Sequence, residues 1–266
     1  MTKLSIYLDG VGLIAPGLSN WAQAQEVLSG RAPYTAMPTT LPPVEKLPPA
    51  ERRRVGVPVK LSMAIGLEAA HHAGADLHSL ATVFSSTEAD CDNTHAILEA
   101  LASSERMMSP TRFHNSVHNA PSGYWSIATG SMQTSTSLNT YDATFSAGLL
   151  EAATQIHGNG KPCMLLAFDT AFSGPIRHLR AIPDAMGVAL VLSLQQTPAS
   201  LAKLSLTLSD APVTPMRDEA LEQMRTDIPA ARSLPLLELL AQQRQGTVVL
   251  DYLESLRLAV EVHKIA

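Results

Sequence analysis

The chain has 266 residues and a formal net charge of −5, with 45% hydrophobic and 16% charged residues. This composition is typical of a globular protein with a sizeable core and excludes a disordered chain. The negative balance, with no basic face to compensate phosphates, argues against nucleic acid as the main partner.

The first element is predicted to be a strand from Leu4 to Ile14, followed by a glycine-containing turn. Asn20 can cap a helix over Trp21–Leu28. The proline in the turn Ala15-Pro16-Gly17 argues against a dinucleotide-binding loop at this position. Asp9 interrupts the apolar N-terminus, which therefore lacks a signal peptide, and no stretch has transmembrane length. We expect a cytoplasmic protein without membrane attachment.

The segment from Pro33 to Pro58 is rich in proline and is predicted to be a surface excursion without regular structure. Arg52, Arg53 and Arg54 lie near its end. They form either a solvated charge run or a contact for an acidic partner. A helix over Lys60–Ala73 follows.

A strand over Leu80–Ser85 and a helix over Asn93–Ala102 come next along the chain. Beyond them, His114 and His118 are spaced as two ligands on one helix face would be, but no HExxH glutamate accompanies them. The sequence therefore favours no metal site. The two cysteines, Cys91 and Cys163, imply no disulfide framework and are expected to be buried free thiols.

A strand predicted over Ser135–Tyr141 leads through a polar elbow into an amphipathic helix. Asp142 and Thr144 are suitable residues for capping that helix. Enzymes place nucleophiles at such elbows, because the helix N-terminus lowers the pKa of a thiol and stabilises its thiolate. The elbow residue here is Phe145, which carries no nucleophilic atom.

The elbow resembles the nucleophile region of β-ketoacyl synthases. Asp142-Ala143-Thr144-Phe145-Ser146-Ala147-Gly148 fits the family pattern, and Phe145 stands where the catalytic cysteine would fall. Other segments match motifs of the family and occur in the same order along the chain, including Ser109-Pro110 and the apolar strand Gly187–Ser193. The resemblance covers roughly residues 4–208.

The resemblance implies an α/β fold like the N-terminal half of a thiolase, layered around a central mixed, mostly parallel sheet. The strand Leu201–Leu208 is expected to pair beside Gly187–Ser193. We expect a ketosynthase-like domain over residues 1–210. Residues 211–266 are expected to form an extension with a short helix and a C-terminal β-hairpin packed on that domain.

The function implied by the resemblance is that of a non-catalytic chain-length factor. Phe145 removes the thiolate that holds the acyl chain, and the matched region lacks the second half with the family's catalytic histidines. Such a subunit forms a heterodimer with an active β-ketoacyl-ACP synthase in aryl-polyene, polyketide or fatty-acid-type biosynthesis. An acyl carrier protein is a possible further partner, and no cofactor is expected.

The same resemblance assigns positions to the surfaces of such a subunit. The strand before the elbow would form the dimer interface, with Ser137, Asn139 and Tyr141. Arg52, Arg53 and Arg54 would contact the carrier protein. The segment after the Ser-Pro pair would line the end of the acyl tunnel, with Met107, Met108, Thr111, Arg112, Phe113 and His114.

Two enzymatic alternatives remain open from the sequence. Ser146 follows a strand and precedes a helix, as the nucleophile of a stand-alone serine hydrolase or acyltransferase does. Thr144 replaces the first glycine of that elbow, and no convincing Asp and His follow. A thiol acyltransferase would need Cys163 or Cys91, and neither lies at an elbow.

Overall fold

The computed structural model describes residues 3–88 and 90–265. Within them, eight strands form one mixed sheet in the order β3-β2-β4-β5-β1-β6-β8-β7. The strands are β1 Leu4–Ile14, β2 Ala81–Ser86, β3 Ser135–Asn139, β4 Cys163–Asp169, β5 Met186–Ser193, β6 Ala202–Ser209, β7 Gly246–Asp251 and β8 Arg257–His263.

Helices cover both faces of this sheet. They are α1 Trp21–Leu28, α2 Pro49–Arg52, α3 Val57–Ala73, α4 Cys91–Ala102, α5 Pro110–Asn115, α6 Ala120–Thr129, α7 Thr144–Asn159, α8 Glu219–Asp227 and α9 Leu234–Ala241. The layered α/β fold and the C-terminal β7–β8 hairpin predicted from the sequence are both confirmed.

The expectation of a mostly parallel sheet is wrong, because most neighbouring strands are antiparallel. Among the described strands, the only parallel pairs are β2–β3 and β2–β4. Helices separate these three strands along the chain and act as the crossovers that parallel pairing requires. Between β4 and β5 there is only a 3-10 turn, Gly174–His178, so β5 runs back antiparallel beside β4.

The predicted pairing of β6 with β5 is also wrong, because β1 lies between these two strands. Residues 4–8 of β1 pair with β6, and the rest of β1 pairs mainly with β5. Strand β1 is almost wholly buried, so both of its backbone edges need hydrogen-bonding partners. The prediction failed because it assumed that β5 and β6, which are consecutive in the sequence, would also be neighbours in the sheet.

Two glycines in β1 allow α3 to pack directly on the sheet. A Cβ atom at Gly12 would lie 2.0 Å from the Ile65 carbonyl oxygen, and one at Gly10 would lie 2.3 Å from that of Ala69. Any larger residue would therefore push the helix away. These glycines serve close packing between helix and strand rather than a turn.

Each face of the sheet carries its own apolar core. On one face α3 and α6 pack together with part of the proline-rich segment. That segment is less irregular than predicted, since it contains α2 and buries Val44, Leu47 and Val55. On the other face lie α7, α1 and the C-terminal helices. In the part of the chain that the structure describes, no helix is long and apolar enough to cross a membrane.

Candidate functional site

The elbow, residues 140–145, connects the edge strand β3 to α7. Strand β3 ends at Asn139, two residues earlier than predicted, and Tyr141 follows in a left-handed backbone conformation with φ 53°. This conformation is uncommon for a bulky side chain and turns the chain sharply. Helix α7 then begins at Thr144.

The helix start differs from the sequence prediction. Ala143 occupies the N-cap position, and no side chain caps the helix. Asp142 instead pairs with two guanidinium groups. Its carboxylate contacts Arg180 Nη2 and lies 3.2 Å from Arg232 Nη2, while Arg232 Nη1 donates to the Asp142 carbonyl at 3.0 Å.

The side chain of Arg180 also lies over the ring of Tyr141. Its guanidinium carbon is 3.8 Å from the ring centroid, which is a favourable cation–π geometry. The elbow is thereby covered by an ionic cluster, Arg180–Asp142–Arg232, just before the start of α7.

Phe145 lies in the first turn of α7 and is 1% exposed. Its ring belongs to the apolar core between α7 and the sheet. The position that the sequence identified as the elbow is thus filled by an aromatic side chain. It offers neither a nucleophile nor space for one.

A buried carboxylate, Asp169, lies behind the elbow at the end of β4. It accepts hydrogen bonds from the backbone N–H groups of Thr87 and Ala230, each at 2.7 Å, and from the Thr144 hydroxyl at 3.4 Å. Burial raises its pKa to about 7, although these hydrogen bonds oppose the shift. Asp169 thereby joins the end of β2, the start of α7 and the C-terminal segment.

The serine alternative finds no support in the geometry of Ser146. Its hydroxyl is buried and donates to the Asp251 carbonyl at 2.6 Å, at the end of β7. Both cysteines are buried, as predicted. Burial raises the pKa of Cys91, and it raises that of Cys163 to about 12, so neither thiol forms a thiolate readily near neutral pH.

The residues predicted at the tunnel end do not share one cavity. Phe113 and His114 line an open groove of about 560 Å³ between α5 and α6. We call this the apolar groove, and its walls are formed by Pro110, Phe113, Val117, Tyr124 and Ile127. Met107 and Met108 precede it, and Met107 is 77% exposed. Thr111 and Arg112 line a separate cleft.

The predicted dimer strand, β3, is an edge of the sheet. Among the described residues it pairs only with β2, so its other edge carries no strand. Ser137 is half-buried and Asn139 is exposed on β3, whereas Tyr141 lies beyond the strand and is 66% exposed. Helix α6 of the apolar groove contacts β3, so the groove and the free edge adjoin.

The three arginines predicted for a carrier contact have different roles. Arg52 donates to the carbonyls of Glu45 and Leu47 and so holds its own loop together. Arg53 and Arg54 line a cleft of about 440 Å³ together with Arg112, here called the arginine cleft. Two aspartates, Asp90 and Asp92, also line it, so the cleft has mixed charge.

Hydrogen bonds join the arginine run to helix α5. The Asn115 side chain donates to the Arg54 carbonyl at 2.8 Å, and Asn93 donates to that of Arg112 at the same distance. His118 lies 2.9 Å from the Ser86 hydroxyl, and burial lowers its pKa. The described residues contain no group of three side chains suited to a metal ion.

Comparison with protein families identifies the chain. A sequence profile for the β-ketoacyl synthase N-terminal domain matches residues 19–254. The chain belongs to this family. The match extends well beyond residue 208, where the recognisable motifs end, and it includes α8, α9 and β7. No curated protein sequence is detectably similar to this chain.

Several solved structures share the fold along nearly the whole chain. A chain of the ketosynthase (ApeO) in complex with its chain length factor (ApeC) from Xenorhabdus doucetiae gives a TM-score of 0.74 at 22% identity. This match covers 97% of the present chain and 99% of that chain. The two chains are therefore nearly equal in length.

Two further solved structures show the same fold at lower identity. The type II polyketide synthase complex AntDE:AntF contains an acyl-carrier protein and its ketosynthase bound to the hexaketide. It gives a TM-score of 0.73 at 13% identity, covering 99% of this chain and 100% of that chain. The ishigamide ketosynthase/chain length factor gives a TM-score of 0.68 at 13% identity, again covering 99% of this chain and 100% of that chain. The predicted ketosynthase-like fold is thus confirmed.

Proposed function

We propose that this protein is a non-catalytic, ketosynthase-like subunit of the chain-length-factor type. It pairs with an active β-ketoacyl-ACP synthase in polyketide-, polyene- or fatty-acid-type biosynthesis, with an aryl polyene as one candidate product. The observation that carries the proposal is the burial of Phe145, the residue that the sequence resemblance aligns with the family's nucleophile.

The chemistry of condensation explains why Phe145 is decisive. A ketosynthase holds the growing acyl chain as a thioester on a thiolate at the start of a helix. An aromatic ring cannot form that bond. In addition, the Arg180–Asp142–Arg232 cluster lies directly before the start of α7, where a ketosynthase needs free N–H donors for the substrate carbonyl.

Pairing with a partner is supported by the surface around β3. A free strand edge can add a partner's strand through main-chain hydrogen bonds. The adjoining apolar groove exposes Phe113 and Ile127, at 60% and 57%. Exposed apolar surface next to a free edge is typical of a protein interface. The ApeO–ApeC and ishigamide structures, which share the fold, are ketosynthase and chain-length-factor assemblies.

Control of chain length would come from the segment that leads into the groove. Met107, Met108 and Phe113 project from it as exposed apolar side chains. In a complex they would extend into the partner's acyl tunnel and limit how far the product can grow. Methionine suits such irregular apolar contacts because its side chain is flexible.

A weaker part of the proposal concerns the carrier protein. The arginine cleft, with Arg53, Arg54 and Arg112, provides exposed guanidinium groups for an acidic carrier protein. The AntDE:AntF structure contains an acyl-carrier protein bound to its ketosynthase. We assign the contact to Arg53 and Arg54 rather than to Arg52, whose side chain is engaged within its loop.

The test is co-expression with the ketosynthase encoded nearest to this gene, followed by size-exclusion chromatography with mass detection and a product-length assay. We expect a one-to-one complex. Met107→Ala and Met108→Ala, which leave the walls of the groove and of the arginine cleft intact, should lengthen or scatter the products while the complex persists. Leu253→Ala is the matched control, because Leu253 is 53% exposed in the β7–β8 turn, at the opposite end of the sheet.

Elution of the chain alone, with a ketosynthase that works unchanged without it, would contradict the proposed pairing. Activity-based probes then test the enzymatic alternatives. Labelling at Ser146 would indicate the hydrolase, and labelling at Cys91 or Cys163 would indicate the acyltransferase. The proposal requires that none of the three residues reacts.

A further inference from the structure

A cavity of about 270 Å³ lies far from the elbow, between α1, α9 and the ends of β6 and β8. Its apolar wall includes Trp21, Leu240 and Val262, and its rim includes Arg244, His263 and Lys264. We call it the basic-rimmed cavity. Neither the ketosynthase chemistry nor the partner surface uses it.

The charge of this cavity contrasts with that of the whole chain. The net charge of the chain is −5, yet no described residue that lines the cavity is acidic. Arg244 and Lys264 are exposed, and neither forms an ion pair within the described residues. Glu238, which faces Arg244, and Glu261, which pairs with Lys3 and His263, lie nearby, but neither lines the cavity. Two cations at the mouth of an apolar cavity favour an anionic head group.

Trp21 forms a buried part of the cavity wall. The indole ring of Trp21 is 3% exposed, and its Nε1–H finds no acceptor among the described residues. This nitrogen is shielded from solvent, so the cavity is lined by other atoms of Trp21.

We propose that the basic-rimmed cavity binds a small amphipathic carboxylate. The alkyl or aryl body of the ligand packs against Trp21 and Leu240, and its carboxylate interacts with Arg244 and Lys264. An apolar enclosure with a few convergent polar groups is the usual form of a small-molecule site. The site is independent of the proposed pairing with a ketosynthase.

The experiment is a calorimetric titration of the full chain with octanoate. We expect saturable binding of one octanoate per chain, at least tenfold weaker binding of octan-1-ol, and an at least tenfold higher Kd for the double variant Arg244→Gln/Lys264→Gln. The matched control is Lys46→Gln, an exposed lysine in the proline-rich segment, which should bind as the wild type does.

Tryptophan fluorescence locates the ligand. Octanoate should change the emission of the wild type but not that of Trp21→Phe, in which Trp125 remains. The proposal is overturned if octanoate does not saturate the protein or if octan-1-ol binds equally well. It also fails if the double variant retains full affinity or if the emission change persists in Trp21→Phe. Both charge substitutions lie at exposed positions, so the calorimetric test stands even where Trp21→Phe misfolds.

Discussion

The elbow and the apolar groove lie on the same chain but have opposite character. At the elbow, Phe145 fills the core and an ionic cluster covers the helix start. At the groove, Phe113 and Ile127 remain exposed beside a free strand edge. In this family the elbow position normally carries the catalytic cysteine. Under the proposed function, the elbow serves the stability of the fold and the groove serves the binding of a partner.

The comparison also separates two kinds of aromatic side chain. Phe145 and Phe113 have the same chemistry, yet one is 1% and the other 60% exposed. The first therefore contributes to the stability of the fold, and the second contributes mainly to what the fold can bind. Substitutions at the two regions should affect different measurements.

The largest expected effect is that of Phe145→Ala. Removal of a buried ring leaves a cavity in the core, so the free energy of unfolding should fall by about 3–5 kcal/mol. Urea denaturation of the purified variant measures it. Phe113→Ala is the matched control and should lower the value by less than about 1 kcal/mol. An equal fall in the free energy of unfolding in the two variants would contradict the view that only Phe145 stabilises the fold.

Asp169→Asn should have the next largest effect. The amide cannot accept from both N–H donors with unchanged geometry, so the variant should lose about 1–3 kcal/mol. Because the folded pKa of about 7 exceeds the ordinary value of 3.8, the folded protein retains the proton to higher pH. The unfolding free energy of the wild type should therefore fall by about 1.4 kcal/mol per pH unit between about pH 4 and 7.

Urea denaturation at pH 5 and pH 8 tests whether the unfolding free energy falls as the pH rises. The stability difference between wild type and Asp169→Asn should be smaller at pH 8, since only the wild type loses stability as Asp169 ionises. Asp210→Asn, at an exposed position, is the control and should show no such convergence. A gap that widens toward pH 8 would mean that the folded state favours the ionised carboxylate.

A smaller effect is expected from Arg180→Ala. This change removes the ion pair with Asp142 and the contact with the Tyr141 ring. The free energy of unfolding should fall by about 1–2 kcal/mol, because both contacts are only partly shielded from water. Arg177→Ala, at an exposed position three residues earlier, should leave it unchanged. A loss at Arg177 as large as that at Arg180 would count against the ionic cluster.

The smallest effect on folding is expected at the groove, with Ile127→Ser. The free energy of unfolding should change by less than about 0.5 kcal/mol, because the side chain is 57% exposed. Copurification with the ketosynthase should nevertheless be lost or strongly reduced. Leu253→Ser provides the comparison and should leave copurification intact. Unchanged pairing of Ile127→Ser would place the interface elsewhere.

The sequence predicted the separate elements well because their signals are local. Asn20 caps α1 as expected, with its side chain accepting from the Gln23 N–H, and Gly74 ends α3 in a left-handed conformation. The strand-elbow-helix around Phe145 was recognisable for the same reason. Periodic apolar residues and caps act over a few neighbouring residues, so they can be read without knowledge of the fold.

The arrangement of these elements was harder to predict, since it depends on distant contacts. Nothing local indicates that β1 separates β5 from β6 or that Ala230 donates to Asp169. Arg180 and Arg232 were missed at the elbow because they lie 38 and 90 residues beyond Asp142. An arginine in a surface segment gives no sequence signal for the carboxylate that it will meet.

The central position of β1 has a consequence for synthesis. Among the described strands, β1 is synthesised before the others, and its neighbours β5 and β6 begin only at residues 186 and 202. At bacterial or eukaryotic elongation rates, β1 must wait roughly 10–35 s for its first partner strand. During that time, a strand that is almost wholly buried in the folded protein is without its sheet. Folding in the cell is therefore expected to be slow and to depend on chaperones that protect the nascent strand β1.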